Sequence, residues 1–246
     1  MIVSEGVVKM LAMNDLIVEA TRLLQNLVPQ GLPLVVREPL VADEAKWLVR
    51  AVEEGVVAFR ECDTACPRLK KRGVAGQDEF VTPAGLLRHM FSSPESSSPS
   101  LHREYVPHIA AYARAILDFG YRKDRSSFSP YRKFTRDLIN KTRGAMFETD
   151  AEFLDGDGNV YLHIEAKKNA RQVAVIAKQL NDSGTLAELP PSTVKEIEYV
   201  LDLRPRFLWL VGPGSIEPAL FIYAVQINDL NAKFDRIDAF PHPPMM

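Results

Sequence analysis

The sequence predicts an α/β (α+β) protein: a central mixed sheet flanked by helices, preceded by a helical N-terminal region. Three observations carry that prediction. Apolar residues recur at helical spacing in the first part of the chain, the period changes to that of strands at residues 147–165, and residues 207–211 and 219–225 are continuous apolar runs of strand length. Runs of that kind suit strands covered on both faces.

The elements follow in order. Leu16, Ala20, Leu23, Leu24 and Leu27 lie at helical spacing, as do Ala45, Leu48, Val49 and Val52 behind Asp43, a suitable helix cap. Between them, residues 32–36 read as a short strand, and residues 60–72 as a polar loop holding Cys62 and Cys66. Residues 92–100, Ser-Ser-Pro-Glu-Ser-Ser-Ser-Pro-Ser, offer nothing apolar to bury and read as a flexible connection. It separates a mainly helical region, 1–91, expected to bind a target or partner protein, from a core at 101–240, with a loose tail at 241–246. The core opens with a helix bearing Ile109, Ala110, Ala113 and Leu117 and ending at Gly120. Ser129 as cap and Pro130 at the first helical position predict another, with Tyr131, Phe134, Thr135 and Leu138 on one face. Two alternating strands, 147–153 and 160–165, flank the turn Asp155-Gly-Asp-Gly-Asn159. Val173, Ile176, Ala177 and Leu180 then mark a helix before the two apolar strands.

Composition narrows the function classes. The 246 residues are 46% apolar and 25% charged, as in ordinary soluble domains. No apolar run reaches the ~18–20 residues of a membrane-spanning helix, and Glu5, Lys9 and Asp15 interrupt any signal-like start. No membrane partner is expected, and the two cysteines make a cytoplasmic location the default. Thirty basic against 32 acidic residues give a net charge of −2, unlike an architectural DNA binder. The charge is segregated, however. Residues 122–143 hold eight bases against two acids, a net of +6, whereas residues 148–157 hold five acids and no base. That pairing suits a site that grips a polyanion and needs a divalent cation, although a solvated helix face followed by an acidic turn has the same charges.

The chemistry lies in the hairpin. Alternation puts Glu148, Asp150 and Glu152 on one face of the first strand, and His163, Glu165 and Lys167 together on the second. If Asp155 faces Val160, then Asp150 faces Glu165, Glu152 faces His163 and Glu148 faces Lys167. Opposed carboxylates ~5 Å apart at Cβ repel unless a hard cation joins them, and Mg²⁺ prefers such oxygen ligands. A neighbouring lysine can stabilise charge on a phosphorane-like transition state. A surface hairpin with a Glu148–Lys167 ion pair is the alternative.

The stretch Glu148-Thr-Asp150…Ile164-Glu-Ala-Lys167 resembles the E-x-D…E-x-K form of the PD-(D/E)XK nuclease superfamily, over residues 130–225 or so. The resemblance implies a restriction-endonuclease-like core. It implies that Asp150, Glu165 and the carbonyl of Ala166 hold Mg²⁺, for which Mn²⁺ would substitute. Lys167 would be the catalytic lysine, Glu148 an extra ligand or water-orienting base, and Gln172 a polar helper. Thr149 replaces the motif's proline. Relatives often add a glutamate from a preceding helix, a place that Glu104 or Glu148 must fill here. The expected function is a metal-dependent nuclease, more readily a DNA endonuclease than an RNA nuclease, often a homodimer in such families. A non-catalytic nucleic-acid-binding or scaffold protein of the same fold is the rival. Arg132, Lys133, Arg136, Lys141, Arg143, Lys168 and Arg171 are the expected nucleic-acid contacts.

Other signals are weaker. The Asp155–Asn159 turn lacks the glycine and glutamate of a calcium loop, having Val160 and Ala166 there. Cys62 and Cys66 lack partners at zinc-finger spacing, and Gly212-Pro-Gly-Ser215 lacks a phosphate-loop lysine.

Overall fold

A computed structural model describes residues 5–26, 33–57, 91–92, 100–128, 130–217 and 220–244. Cys62, Cys66, the expected loop at 60–72 and residues 93–99 of the expected connection lie outside the described residues. In chain order the elements are α1 (Glu5–Gln25), α2 (Ala42–Glu53), β1 (Phe91–Ser92), β2 (Ser100–Leu101), α3 (Tyr105–Leu117), β3 (Ser126–Phe128), β4 (Tyr131–Lys133), β5 (Met146–Glu148), β6 (Ala151–Leu154), β7 (Val160–Ala166), α4 (Ala170–Ser183), α5 (Pro191–Ile197), α6 (Val200–Leu203), β8 (Phe207–Val211), β9 (Ile222–Asn228) and β10 (Asn231–Ile237).

A six-stranded mixed sheet runs β10-β9-β8-β7-β6-β3. Only β7 and β8 are parallel. A parallel pair needs a crossover, and the chain supplies it through α4, α5 and α6. Leu162, Ile164 and Ala166 of β7, with Trp209 and Val211 of β8, face a cluster that includes Leu24 of α1, Leu48 of α2 and Ile109 of α3. Leu208 and Leu210 face the opposite cluster, with Ile176 and Leu180 of α4, Ile197 of α5 and Leu201 of α6. The helical N-terminal elements therefore share a core with the sheet. Among the described residues no helix is long and apolar enough to cross a membrane.

The helices form where apolar spacing and caps coincide. Asn169 caps α4 by accepting from the Gln172 amide at 2.9 Å, and Gly184 ends it at φ 71°. Val173, Ile176, Ala177 and Leu180 are the buried stripe, as the spacing predicts. Asp43, expected to cap α2, instead lies in its first turn behind Val41. Its carboxylate accepts from the amides of Gly214, Ile216 and Glu217, tying α2 to the turn after β8.

Three expectations are corrected. The helix predicted after Pro130 is absent: β4 pairs with β5 as an antiparallel ribbon. Phe134 and Phe147 stack across it at 4.1 Å, with Phe134 buried in the second cluster. Tertiary pairing of aromatics thus outweighs local helical spacing. The strand predicted over 147–153 is broken at Thr149–Asp150, so Glu148 faces Tyr131 rather than Lys167. The hairpin register holds for Ala151↔Ile164, Glu152↔His163 and Phe153↔Leu162, but a bulge at Phe153/Leu154 then places Leu154 opposite Val160. Asp155 instead folds the turn, accepting from the amides of Asp157 and Asn159 at 2.9 Å.

Candidate active site

The cluster sits where β6 begins and β7 ends. From Leu162 onward, the even-numbered side chains of β7 face α3, and His163 and Glu165 point the other way. His163 and Glu165 lie beside Leu208 and Leu210 of β8, and Lys167 follows them just beyond the strand. Its amide still bonds to the Val211 carbonyl at 2.9 Å, which fixes where the side chain leaves the sheet. Lys167 Nζ donates to Glu165 Oε1 at 2.6 Å and to Glu196 Oε2 at 2.9 Å. Glu165 is 8% exposed and Lys167 4%. Asp150 occupies the break before β6 and reaches across to the end of β7, where its Oδ2 accepts from the Ala166 amide at 2.5 Å. Its Oδ1 lies 3.8 Å from Nδ1 of the buried His108 on α3. The His108 ring stacks on Phe128 at 3.8 Å, which holds it against that strand end.

Electrostatics separate the two carboxylates. Burial, the largest influence, pushes Glu165 up, but the Lys167 charge and the His163 contact outweigh it and bring the pKa down to about 2. Asp150 is raised well above its usual range, first by burial and then by the Glu165 charge, against the opposing pull of the Ala166 amide and Lys167. Burial works against the Lys167 ammonium, yet Glu165 and Glu196 hold its pKa above the usual lysine range. It is therefore a fixed positive charge and no base. Burial brings His108 down to about 3, so it is neutral near physiological pH.

Glu104, at the N-cap of α3, has its pKa raised by burial, with the charges of Lys167, Glu165 and Glu196 also acting on it. It is one of the two glutamates named for that place and lies within electrostatic reach of the cluster. Glu148 is exposed on the separate ribbon. Lys167 pairs with Glu165 and Glu196 instead of the Glu148 of the surface-hairpin alternative. Gln172 is half-buried in the first turn of α4. Among the expected nucleic-acid contacts, Arg132 is turned inward in a bidentate pair with Glu152, which is 0% exposed. Arg136 leans on Asp202 and the Asp229 carbonyl. Lys133, Arg143, Lys168 and Arg171 are exposed and Lys141 half-buried, none with a salt-bridge partner among the described residues. His108, Glu196 and Tyr199 belong to the site, but sequence reasoning did not place them there. Tyr199 donates to Glu165 Oε2 at 2.6 Å. Such partners sit far along the chain with no local periodicity to announce them.

The donor set suits a hard cation. Glu165 and Glu196 bond Lys167, and its charge acts also on Asp150 and Glu104, whose pKa values are raised first by burial and then by the neighbouring carboxylates. Among the described residues no three His, Cys, Asp or Glu side chains form a metal-binding group. Mg²⁺ does not demand one, since it is commonly held by one or two carboxylates and keeps several waters. No protein-family model matches the chain, and neither do any curated protein sequences or solved structures.

Proposed function

We propose that the protein is a divalent-metal-dependent nuclease that hydrolyses phosphodiester bonds, with DNA as the favoured substrate and endonucleolytic cleavage the favoured mode. The observation that carries this reading is the meeting of Asp150, Glu165 and Lys167 at neighbouring strand ends, with the lysine bonded to one carboxylate and the other held on the Ala166 amide between them.

Asp150 and Glu165, with the Ala166 carbonyl, would hold Mg²⁺ or Mn²⁺. The bound ion would supply a Lewis acid for a phosphoryl oxygen and a water of lowered pKa. Glu165 is ionised at every physiological pH and needs no proton loss before binding a cation. Asp150 holds its proton more tightly, so a cation and that proton compete for it. Lys167 sets a permanent charge beside the non-bridging oxygens, where negative charge grows as water oxygen bonds to phosphorus and the 3′ oxygen departs. Solvent protonates the leaving oxygen, giving a 5′ phosphate and a 3′ hydroxyl. Lys133, Lys141, Arg143, Lys168 and Arg171 would track the backbone as sequence-independent phosphate contacts.

The test is cleavage of supercoiled plasmid with Mg²⁺ by wild type, Asp150→Ala and Lys167→Ala. Cutting by wild type alone supports the proposal. Equal cutting by all three, or by none, rejects it, and cutting of RNA alone moves the substrate class.

A further inference from the structure

Glu165 and Lys167 are gripped from behind by one short segment. Glu196, in the last turn of α5, accepts from Lys167 Nζ at 2.9 Å. Tyr199, just before α6, donates to Glu165 Oε2 at 2.6 Å. The two lie three residues apart, a spacing that puts side chains on one helical face. Behind Tyr199, His163 Nε2 is 2.9 Å from the phenol oxygen and 3.4 Å from Glu165 Oε2, while His163 Nδ1 is buried without a partner. A neutral imidazole carries one N–H. Placed on Nδ1 it would be a buried donor with no acceptor, which costs about 1–3 kcal/mol. On Nε2 it meets two oxygens. The chain of bonds therefore runs in one direction: His163 Nε2–H to the Tyr199 oxygen, and the Tyr199 O–H to Glu165.

We propose that Tyr199 and Glu196 are positioning residues for the metal-binding carboxylate and the catalytic lysine. Tyr199, backed by His163, fixes one oxygen of Glu165. Lys167 meets the other, and Glu196 anchors the lysine from the far side. The carboxylate plane and the ammonium are thus set before metal or nucleic acid arrives. This role rests on the nuclease reading above. Partners that orient a metal ligand from outside typically govern affinity or rate by about 10–100-fold.

The test compares wild type, Tyr199→Phe, Glu196→Gln and Asp150→Ala by Mn²⁺ calorimetry and by plasmid cleavage over a range of Mn²⁺ and DNA concentrations. Tyr199→Phe keeps the ring and loses only the hydroxyl. Glu196 is 41% exposed, so Glu196→Gln leaves the core intact. Tyr199→Phe is expected to weaken Mn²⁺ binding and lower kcat by about 10–100-fold, with KM for DNA unchanged. Glu196→Gln is expected to lower kcat with less change in Mn²⁺ affinity, because it touches the lysine. If Asp150→Ala is inactive while Tyr199→Phe and Glu196→Gln match wild type in Mn²⁺ affinity and kcat, the positioning role is wrong and the nuclease reading stands. If Tyr199→Phe does not fold, a wild-type kcat for Glu196→Gln overturns the positioning role by itself. If wild type neither binds Mn²⁺ nor cuts, both fall.

Discussion

Lys167→Met should expose how strongly the cluster depends on one positive charge. The substitution keeps a long flexible chain and removes the ammonium that bonds Glu165 at 2.6 Å. Removing one partner of a buried ion pair costs about 3–5 kcal/mol, because the other charge stays buried and unpaired. Glu165 keeps its Tyr199 and His163 contacts, which places the cost near the lower end. The half-exposed Glu196 contact adds little. For a chain of this size ~3 kcal/mol corresponds to a fall in Tm of about 6–12 °C. The pH dependence supplies a second check. The Glu165 pKa is lowered from 4.5 to about 2, so its contribution is present above 4.5 and is lost as pH falls towards 2. The stability gap between wild type and Lys167→Met should therefore be full near neutrality and close on acidification through that window. Urea unfolding of metal-free protein across pH measures both. A gap below ~1 kcal/mol near neutrality, or one that does not narrow in acid, would refute the reasoning.

Four more outcomes are expected. Asp150→Asn removes a carboxylate whose raised pKa means stability is present in acid and lost as pH climbs. The metal-free variant should therefore gain about 0.5–2 kcal/mol near neutrality, and no gain in acid, while losing cleavage; thermal melts across pH check this. Arg132→Met leaves the buried Glu152 with Thr149 as its remaining side-chain donor. Because Arg132 is 39% exposed, the expected loss is a reduced ~1–3 kcal/mol; Arg171→Gln should instead leave Tm unchanged and lower the salt slope of DNA binding by about one. Gly212→Ala would place a Cβ 2.4 Å from Val173 Cγ2 and 3.2 Å from the Lys167 carbonyl. Pressing α4 against the end of β7 should cost about 1–3 kcal/mol, measurable by urea unfolding.

The legible part of the site is the part written in local periodicity. Alternation around the Asp155–Asn159 turn placed Glu165 and Lys167 on one face and paired Glu152 with His163, as the register has it. Asp150 reaches the same end through the Ala166 amide, although it stands in a break rather than opposite Glu165. That break is not readable locally. It forms because the Thr149 amide bonds the Pro130 carbonyl and Glu152 is drawn beneath Arg132, and both bonds need the β4–β5 ribbon. The ribbon was itself hidden by the helical spacing of Tyr131, Phe134 and Leu138. β10 escaped reading as an edge strand, with charges at Lys233, Asp235 and Arg236 and a turn at Asp229, φ 48°. Glu196 and Tyr199 meet β7 only through the crossover packing.

The most direct trial of the metal centre is a Mn²⁺ soak of crystals with anomalous scattering. The account predicts a peak within bonding reach of Asp150 and Glu165, lost in crystals of Glu165→Gln. No peak there, or one unaffected by that substitution, would contradict it.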